Sequence, residues 1–271
     1  MPVVESPLTL SAVLPPGIYA RRARALIGRS AMVGRHIWLL IASGFVEPLL
    51  FLAVFGAGFG TMIGPVTGPD HHPMRYITFV APALLAVSAM NGALHDATFN
   101  VFGKLRSKFY DTVLSTPLGT LDIVIGEMSW ALIRGGMYSA GFLAVMLATG
   151  LVGPVAAVVC LAAALLVGAS FAATGMLATT YLRSWQDYSF VTTATMVQFL
   201  FSTTFYPLST YPKALQWAVQ VFPLYQAIQL MRDITFDTVG PQTAVHIAYL
   251  LVLAAIAFVC AVRRLHRKLI S

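Results

Sequence analysis

Six long apolar segments divide the chain and constrain its fold more than any other feature. They cover approximately residues 37–60, 76–98, 120–148, 153–180, 188–206 and 243–262. A helix needs about 20 residues to cross a hydrocarbon core of roughly 30 Å, and each segment is close to that length or longer. Because backbone polar groups in hydrocarbon must be satisfied internally, such unbroken runs favour helices. The sequence therefore predicts an all-α membrane protein with six transmembrane helices.

The composition excludes a soluble protein of this size. Hydrophobic residues make up 58% of the 271 residues and charged residues only 10%, which is more apolar side chain than a soluble core of this length can bury. The net charge of +7 does not indicate nucleic acid, because the sequence has no basic, aromatic-interleaved soluble module. The distribution of the basic residues indicates the orientation of the chain in the membrane instead.

Lysine and arginine are distributed unevenly between the loops. Thirteen of the 17 lie before the first predicted span, between spans two and three, between spans four and five, or after span six. The alternate loops contain only Arg75, Lys213 and Arg232, and Arg134 lies within a span. The positive-inside rule therefore places both termini in the cytoplasm, in a multi-pass protein of the plasma (inner) membrane.

Residues 18–35 form a separate amphipathic element before the first span. Its five arginines share one face of a helical wheel, and apolar side chains that include Leu26 and Ile27 occupy the other. We predict a helix in the cytoplasmic interface, which is either a simple positive-inside anchor or an element with its own role in function. Residues 1–17 form an N-terminal tail that resembles nothing recognisable.

The predicted cytoplasmic segment 100–118 has the periodicity of a short amphipathic helix. Its apolar face carries Phe102, Leu105, Phe109 and Val113, and its opposite face carries Lys104, Lys108 and Asp111. Pro117 and Gly119 then break the helix before the third span. We expect the apolar face to dock on a cytoplasmic partner, and an ordinary solvated loop is the alternative.

Residues 206–241, between spans five and six, are too polar to cross the membrane and too apolar for a simple exterior loop. Pro212 predicts the start of one helix, and Pro223 interrupts a second helical stretch over 224–236. Two half-helices that enter the membrane and return fit this pattern, and two flat interfacial helices are the alternative. We predict an exterior gate formed by Trp217, Phe222, Pro223, Tyr225 and Arg232. Arg232 either anchors the hairpin or attracts an anionic headgroup.

Charged residues inside the predicted spans are few, and each is a candidate for function because charge is costly in hydrocarbon. They are Glu47, Asp96, Glu127 and Arg134. Glu47 and Arg134 both lie on the order of 15–20 Å from the cytoplasmic ends of their spans, so they are able to pair. A structural ion pair and a contact with substrate both remain open.

The sequence contains none of the short motifs that would indicate an enzyme. It lacks the G-x-x-x-x-G-K-[ST] phosphate loop, H-E-x-x-H, C-x-x-C and G-x-S-x-G. Cys160 and Cys260 lie inside apolar runs and are interpreted as buried apolar side chains. His71 and His72 beside Asp70 are interpreted as part of an exterior polar turn rather than a metal site. We therefore expect no catalysis, cofactor or metal on this chain.

Four stretches of sequence occur in an order that is typical of one protein family. They contain EP and FGAGFG within 47–60, AP and SAM within 81–90, KFYD, STPL and GE within 108–127, and FPLY before Arg232. Together they resemble the permease subunits of ABC-2 type exporters, in particular the lipo-oligosaccharide (nodulation) exporter permeases and related multidrug permeases. The resemblance extends from about residue 18 to the C-terminus.

This resemblance implies a type V ABC exporter-like architecture. Residues 18–35 would be the connecting helix. Residues 100–116, including Tyr110, would be the coupling helix that sits in a groove of the ATP-binding subunit. Residues 206–241 would form a re-entrant exterior hairpin. It also implies a dimer of identical or related permeases. A separate ATP-binding cassette subunit would hold ATP and Mg and would power export of an amphipathic substrate, such as a glycolipid, lipo-oligosaccharide or drug, from the lipid membrane.

Two other classes of protein compete with this prediction. An ion-coupled secondary transporter would use the four intramembrane charges as a relay, but such carriers usually have inverted repeats and more spans in one chain, and the sequence has neither. An intramembrane enzyme would need a paired catalytic constellation, which the sequence does not contain.

Overall fold

A computed structural model describes residues 50–67, 73–116 and 118–270 of the chain. The predicted tail 1–17, the interfacial helix 18–35, most of the first apolar run with Glu47, and the His71–His72 turn lie outside these residues. Predictions about them stay predictions.

Within these described residues, four helices are long and apolar enough to cross a membrane. They are α2 (Tyr76–Arg106), α4 (Thr120–Ala148), α5 (Pro154–Thr179) and α9 (Pro241–Ile270). They coincide with the apolar runs predicted at 76–98, 120–148, 153–180 and 243–262. The all-α membrane class is therefore confirmed, and α2 and α9 extend several residues beyond the predicted ends.

Of the two remaining apolar runs, the described part of the first is helical, and the fifth forms a shorter helix than predicted. Helix α1 is described over Leu50–Ile63 and contains a π-helical stretch, Val54–Phe59. Helix α6 spans Tyr188–Phe201, 14 residues, whereas the sequence predicts a span to residue 206. It ends at Ser202 because Thr203 has a positive φ of 60°, which an α-helix does not accommodate. The six-span topology stays a prediction.

Short connections join these helices at both ends of the bundle. A two-residue antiparallel pairing, β1 (Val66–Thr67) with β2 (Pro73–Met74), follows α1. Gly150, with a φ of 69°, makes the tight turn between α4 and α5 that the sequence predicts, and Pro154 starts α5 at a position where its missing N–H costs nothing. This end of the bundle, where α2, α5 and α9 begin, is called the loop end below.

Close helix contacts at small residues hold the core together. A Cβ on Gly92 of α2 would lie 3.1 Å from the Cα of Gly135 on α4. A Cβ on Gly175 of α5 would lie 2.8 Å from Thr98 Oγ1 and 3.0 Å from Leu94 Cδ1 on α2. Small residues at such crossings let helix backbones approach closely, which favours association in lipid. Helices α2, α4 and α5 therefore form the packed centre.

Residues 206–241 contain two helices that meet at Phe222. They are α7 (Lys213–Val221) and α8 (Pro223–Thr235), and both begin where the prolines predict. The carbonyl oxygen of Val221 accepts a hydrogen bond from Tyr249 Oη at 2.6 Å, and Tyr249 lies about 12 Å along α9 from its first residue. Thr235, at the other end of α8, contacts Cys160 near the start of α5. The hairpin turn therefore points from the loop end toward the middle of the bundle.

Candidate functional site

A cavity of about 820 Å³ lies between α1, α2, α4 and α6. This size is within the usual range of small-molecule sites. One part of its lining is apolar or aromatic, from Phe51, Val87, Leu94, Val191, Met196 and Phe199. The other part is polar, from Ser88, Asn91, His95, Arg134, Tyr138, Tyr188, Thr192, Thr193 and Thr195. The cavity is therefore amphipathic.

An ion pair joins α2 to α4 at the wall of the cavity. Arg134 Nη1 donates to Asp96 Oδ1 at 2.6 Å, and Asn100 also donates to this oxygen. Arg134 is half way along α4, and 23% of its side chain is exposed, against 2% for Asp96. The carboxylate is thus buried behind the cation, and the guanidinium faces the cavity. The predicted Glu47–Arg134 pair involves a residue outside the described part of the chain.

The backbone of α2 changes geometry at this ion pair. Residues Asp96–Asn100 form a π-helical turn within the otherwise α-helical segment. Such turns disturb the regular backbone ladder and often occur at functional sites. Thr179 Oγ1 of α5 lies 3.1 Å from the carbonyl oxygen of Ala97 and 3.4 Å from that of Thr98, and its single proton is shared among these and the carbonyl oxygen of Gly175 at 2.9 Å. Helix α5 therefore supports the irregular turn from behind.

His95 links α2 to α6 across the cavity. Its Nδ1 lies 2.8 Å from Tyr188 Oη, and its ring stacks on Phe99 with 5.3 Å between centroids. Apart from Arg134, the polar lining residues were not predicted from the sequence. The signal was present, since Ser88, Asn91 and His95 follow one another at spacings of three and four residues, which places them on one helical face.

The predicted cytoplasmic amphipathic helix is not one continuous helix. Val101–Arg106 continues α2, a turn follows in which Lys108 has a φ of 55°, and a separate helix α3 covers Phe109–Leu114. The prediction of a single helix is therefore wrong. A residue with a left-handed backbone conformation cannot continue a right-handed helix. The helical spacing of apolar residues in the sequence gives no sign of this conformation.

The face expected to dock on a partner packs on this chain instead. Phe102, Tyr110 and Val113 are buried, and Leu105 and Phe109 are half-buried. Tyr110 and Val113 contact a cluster from α4, α5 and α9 that includes Ile123, Met176 and Leu265. Burial and the charge of Glu127 raise the pKa of the Tyr110 phenol well above its ordinary value. The exposed surface of this segment is polar and contains Arg106, Lys108, Asp111, Thr112 and Ser115.

Lys104 does not belong to that exposed surface. Its Nζ lies 2.8 and 2.7 Å from the two carboxylate oxygens of Glu127, which is buried in α4. The pair places Glu127, one of the predicted intramembrane charges, next to the predicted coupling segment. Two ion pairs therefore tie α2 to α4: Asp96–Arg134 at the start of the π-helical turn and Lys104–Glu127 beyond its end.

A second connection, between α5 and α6, lies against the same segment. Arg106 donates to the carbonyl oxygen of Arg183, and the Trp185 ring packs on Phe102 with 5.0 Å between centroids. Hydrogen bonds from the backbone N–H groups of Arg183 and Ser184 lower the pKa of Asp187 below its ordinary value. This turn is also a neighbour of the C-terminal helix, where Lys268 donates to the carbonyl oxygens of Thr180 and Leu182.

The predicted gate residues separate into an exposed and a buried group. Trp217 on α7 has 75% of its surface exposed, and Phe222 and Pro223 at the turn are partly exposed. Tyr225 and Arg232 are buried on the inner side of α8. The five residues therefore do not form one surface within this chain.

Arg232 fastens α8 to the end of α6. Its Nη2 donates to the carbonyl oxygen of Thr203 at 2.8 Å, and its guanidinium carbon lies 3.9 Å from the centroid of the Phe79 ring on α2. These contacts hold the residue with positive φ that ends α6. Of the two predicted roles for Arg232, the geometry favours the anchor.

An amphipathic cavity beside helices long enough to cross a membrane, with buried ion pairs between those helices, is typical of a transport protein. A comparison with protein families gives the class directly. The sequence model of ABC-2 type transporters matches residues 21–236. The chain therefore belongs to the ABC-2 type transporter family, and its place is among the membrane-spanning transport permeases.

Individual relatives agree with this family. The chain is 30% identical over 226 residues to Nodulation protein J of Rhizobium leguminosarum bv. trifolii, covering 83% of this chain and 84% of that protein. It is 28% identical over 231 residues to Nodulation protein J of Rhizobium meliloti (strain 1021), covering 84% and 86%. A shorter match, 26% identical over 100 residues and covering 37% and 38%, is to the inner membrane transport permease YadH of Escherichia coli (strain K12).

Proposed function

We propose that this chain is the permease subunit of an ATP-driven exporter that moves an amphipathic substrate out across the plasma membrane. The observation that carries the proposal is the cavity, whose lining combines apolar and aromatic side chains with polar ones. A glycolipid, a lipo-oligosaccharide or an amphipathic drug presents the same two kinds of surface. Membership of the ABC-2 family supports ATP as the energy source.

The ATP would be hydrolysed by a separate subunit. The sequence has no phosphate-binding loop, so a partner of the ATP-binding cassette class holds ATP and Mg. The segment 104–116 and the turn 181–187 lie side by side and expose charged and aromatic side chains, including Arg106, Lys108, Asp111, Arg183 and Trp185. We assign the docking of the partner to this combined surface, which replaces the apolar face predicted from the sequence.

The distribution of charge supports an orientation with both termini in the cytoplasm. Most lysines and arginines of the described residues lie at the end of the bundle formed by α3, the 181–187 turn and the C-terminus of α9. The loop end has few. By the positive-inside rule the loop end faces the exterior. With α1 and α6 as the remaining spans, the chain crosses the membrane six times.

A second permease copy, identical or related, completes the cavity. No residue of α6 is buried in this chain, although the helix lines the cavity with Thr192 and Thr195. Its exposed side chains are mostly apolar and include Phe190, Met196, Val197, Leu200 and Phe201. A dimer that joins these faces would close the cavity from lipid and produce one path from two chains.

The α7–α8 hairpin forms the exterior gate of this path. Its turn at Phe222 lies level with Tyr249, about 12 Å along α9, and Tyr249 donates to the carbonyl oxygen of Val221, whose backbone would otherwise face hydrocarbon. Arg232 anchors the inner helix, and the exposed Trp217 lies where a second copy or lipid would meet it. Opening therefore requires movement of α7 more than of α8.

Two intramembrane carboxylates are poorly suited to an ion-coupled relay. Asp96 and Glu127 are each held by a cation, Arg134 and Lys104, at 2.6 and 2.7 Å. A relay carboxylate must gain and lose its proton or ion during transport. These ion pairs favour a structural role, and they support ATP-driven export over secondary transport.

The test is reconstitution of the permease with a co-expressed ATP-binding cassette subunit in lipid nanodiscs. We expect a stable complex whose ATP hydrolysis rises when an amphipathic substrate is added, and export into vesicles that depends on ATP. The matched control is the same complex with the catalytic glutamate of the cassette subunit replaced by glutamine. Transport by the permease alone, driven by a proton or sodium gradient, would contradict the proposal.

A further inference from the structure

The cavity contains an arginine whose charge is cancelled from outside the cavity. Arg134 lines the cavity, whereas its partner Asp96 does not. The carboxylate lies behind the guanidinium, buried in the π-helical turn of α2, with its Oδ1 shared between Arg134 and Asn100. A ligand in the cavity therefore meets the guanidinium directly and the carboxylate only through it.

The other side chains that line the cavity leave its net charge to the Arg134–Asp96 pair. Among the described lining residues, Arg134 is the one with a permanent charge, and the other polar members are hydroxyls, an amide and His95. Arg134 carries five N–H donors in a planar group, and its hydrogen bond to Asp96 uses one of them. The ion pair leaves donors for a hydroxyl-rich ligand while removing the net charge that would attract an anion.

We propose that Asp96 sets the charge selectivity of the cavity, so that an amphipathic ligand with a neutral, hydroxyl-rich headgroup is preferred over the same ligand with an anionic headgroup. Asp96 acts through Arg134 and does not touch the ligand. This inference rests on the proposed function in one respect, namely that the substrate occupies the cavity.

A conservative substitution isolates the charge. In Asp96→Asn the side-chain Oδ1 is retained, so Arg134 and Asn100 keep their acceptor, while the negative charge is lost. Arg134 then presents an uncompensated cation to the cavity. A carboxylate on the ligand would be attracted by it, and at cavity distances this interaction changes the preference by roughly ten-fold or more.

The experiment measures equilibrium binding of two matched probes to the full-length permease in phosphatidylcholine nanodiscs. The probes are radiolabelled octyl glucoside and octyl glucuronide, which differ only in the headgroup carboxylate, both below their micelle concentrations. Measurement at pH 8 keeps histidine neutral, since its ordinary pKa is about 6.5. The variants are Asp96→Asn, Asp96→Asn with Arg134→Gln, and Glu47→Gln.

We expect the unsubstituted permease to prefer the glucoside, and Asp96→Asn to shift the affinity ratio toward the glucuronide by roughly ten-fold. The double variant should return to the original ratio, because it has neither charge. The inference is overturned if Asp96→Asn binds both probes with the original ratio, or if Glu47→Gln produces the shift and Asp96→Asn does not. Failure of both probes to bind the unsubstituted permease would instead remove the cavity as the substrate site, and this inference with it.

Discussion

Asp96 and Arg134 join α2 and α4 by an ion pair of 2.6 Å at the place where α2 has its π-helical turn. Eight residues further along α2, Lys104 pairs with Glu127 of α4. The two pairs connect the wall of the cavity with the predicted coupling segment through the same two helices. Movement of that segment by a bound partner would therefore be transmitted along a pair of helices tied at both places.

The Lys104–Glu127 pair predicts unequal effects of removing each partner. Lys104→Met leaves the Glu127 carboxylate buried without its cation, which should lower the free energy of unfolding by about 3 kcal/mol. Glu127→Gln should cost less, because Lys104 is partly exposed and can turn toward water. Denaturant unfolding in detergent measures both, and Lys108→Met, on an exposed residue of the same segment, is the control. If the effects of Lys104→Met and Glu127→Gln simply add in the variant that carries both, the two side chains do not interact.

The coupling segment has an exposed polar surface and a buried apolar one, so substitutions on the first should affect coupling alone and substitutions on the second should also affect stability. Asp111→Lys reverses an exposed charge and should reduce stimulation of the ATPase while leaving the unfolding temperature unchanged. Phe109→Asp places a charge on a half-buried side chain, so it should lower the unfolding temperature as well as abolish transport. Full stimulation of a bound ATP-binding subunit by Asp111→Lys would remove this surface from coupling.

The anchoring role of Arg232 predicts a loss that lysine does not repair. Arg232→Lys keeps the charge but cannot both stack on Phe79 and donate through a planar group to Thr203. We expect Arg232→Lys and Phe79→Ala to destabilise the protein by about 1 kcal/mol each, with a combined effect smaller than their sum. Faster hydrogen exchange around residue 203 checks the loosening. Loss of ligand binding with unchanged exchange would favour the headgroup role instead.

Helix α5 crosses α2 so closely at the π-helical turn that replacing Gly175 with a larger residue should destabilise the protein. Gly175→Ala places a methyl group within 3.1 Å of the Leu94 carbonyl oxygen and the Thr98 side chain, and overpacking of this kind typically costs about 1–3 kcal/mol. Gly103→Ala, also within a helix, is the matched control, because its Cβ would meet only the Trp185 ring at an ordinary contact distance of 3.6 Å. Thermal unfolding distinguishes the two, and equal stability of both variants would contradict the close packing.

The proposed orientation predicts opposite accessibility for two exposed lysines. In a chain with Cys160 and Cys260 replaced by alanine, a membrane-impermeant maleimide should label Lys213→Cys on intact cells and spare Lys108→Cys. Permeabilised cells should label both, which controls for burial. Labelling of position 108 but not 213 on intact cells would reverse the topology.

Much of the architecture could be predicted from the sequence because membrane insertion acts on local properties. A run of about 20 apolar residues determines a helix by itself, and the four long helices lie where such runs occur. Pro212 and Pro223 determined the starts of α7 and α8 in the same local way, since proline fixes its own backbone and removes a donor. The family could also be recognised from short stretches whose order is a property of the chain.

Pairing of side chains could not be predicted, because it depends on which helix faces which. The sequence identified Asp96, Glu127 and Arg134 as candidates. Their partners depend on how α2 and α4 are rotated and cross, which close contacts such as Gly92 with Gly135 determine. This crossing pairs Asp96 with Arg134 and Lys104 with Glu127. The same packing turned the apolar face with Phe102 and Val113 inward and left a polar one outside. Apolar periodicity reports that a face is buried, whereas only the tertiary structure decides whether this chain or a partner buries it.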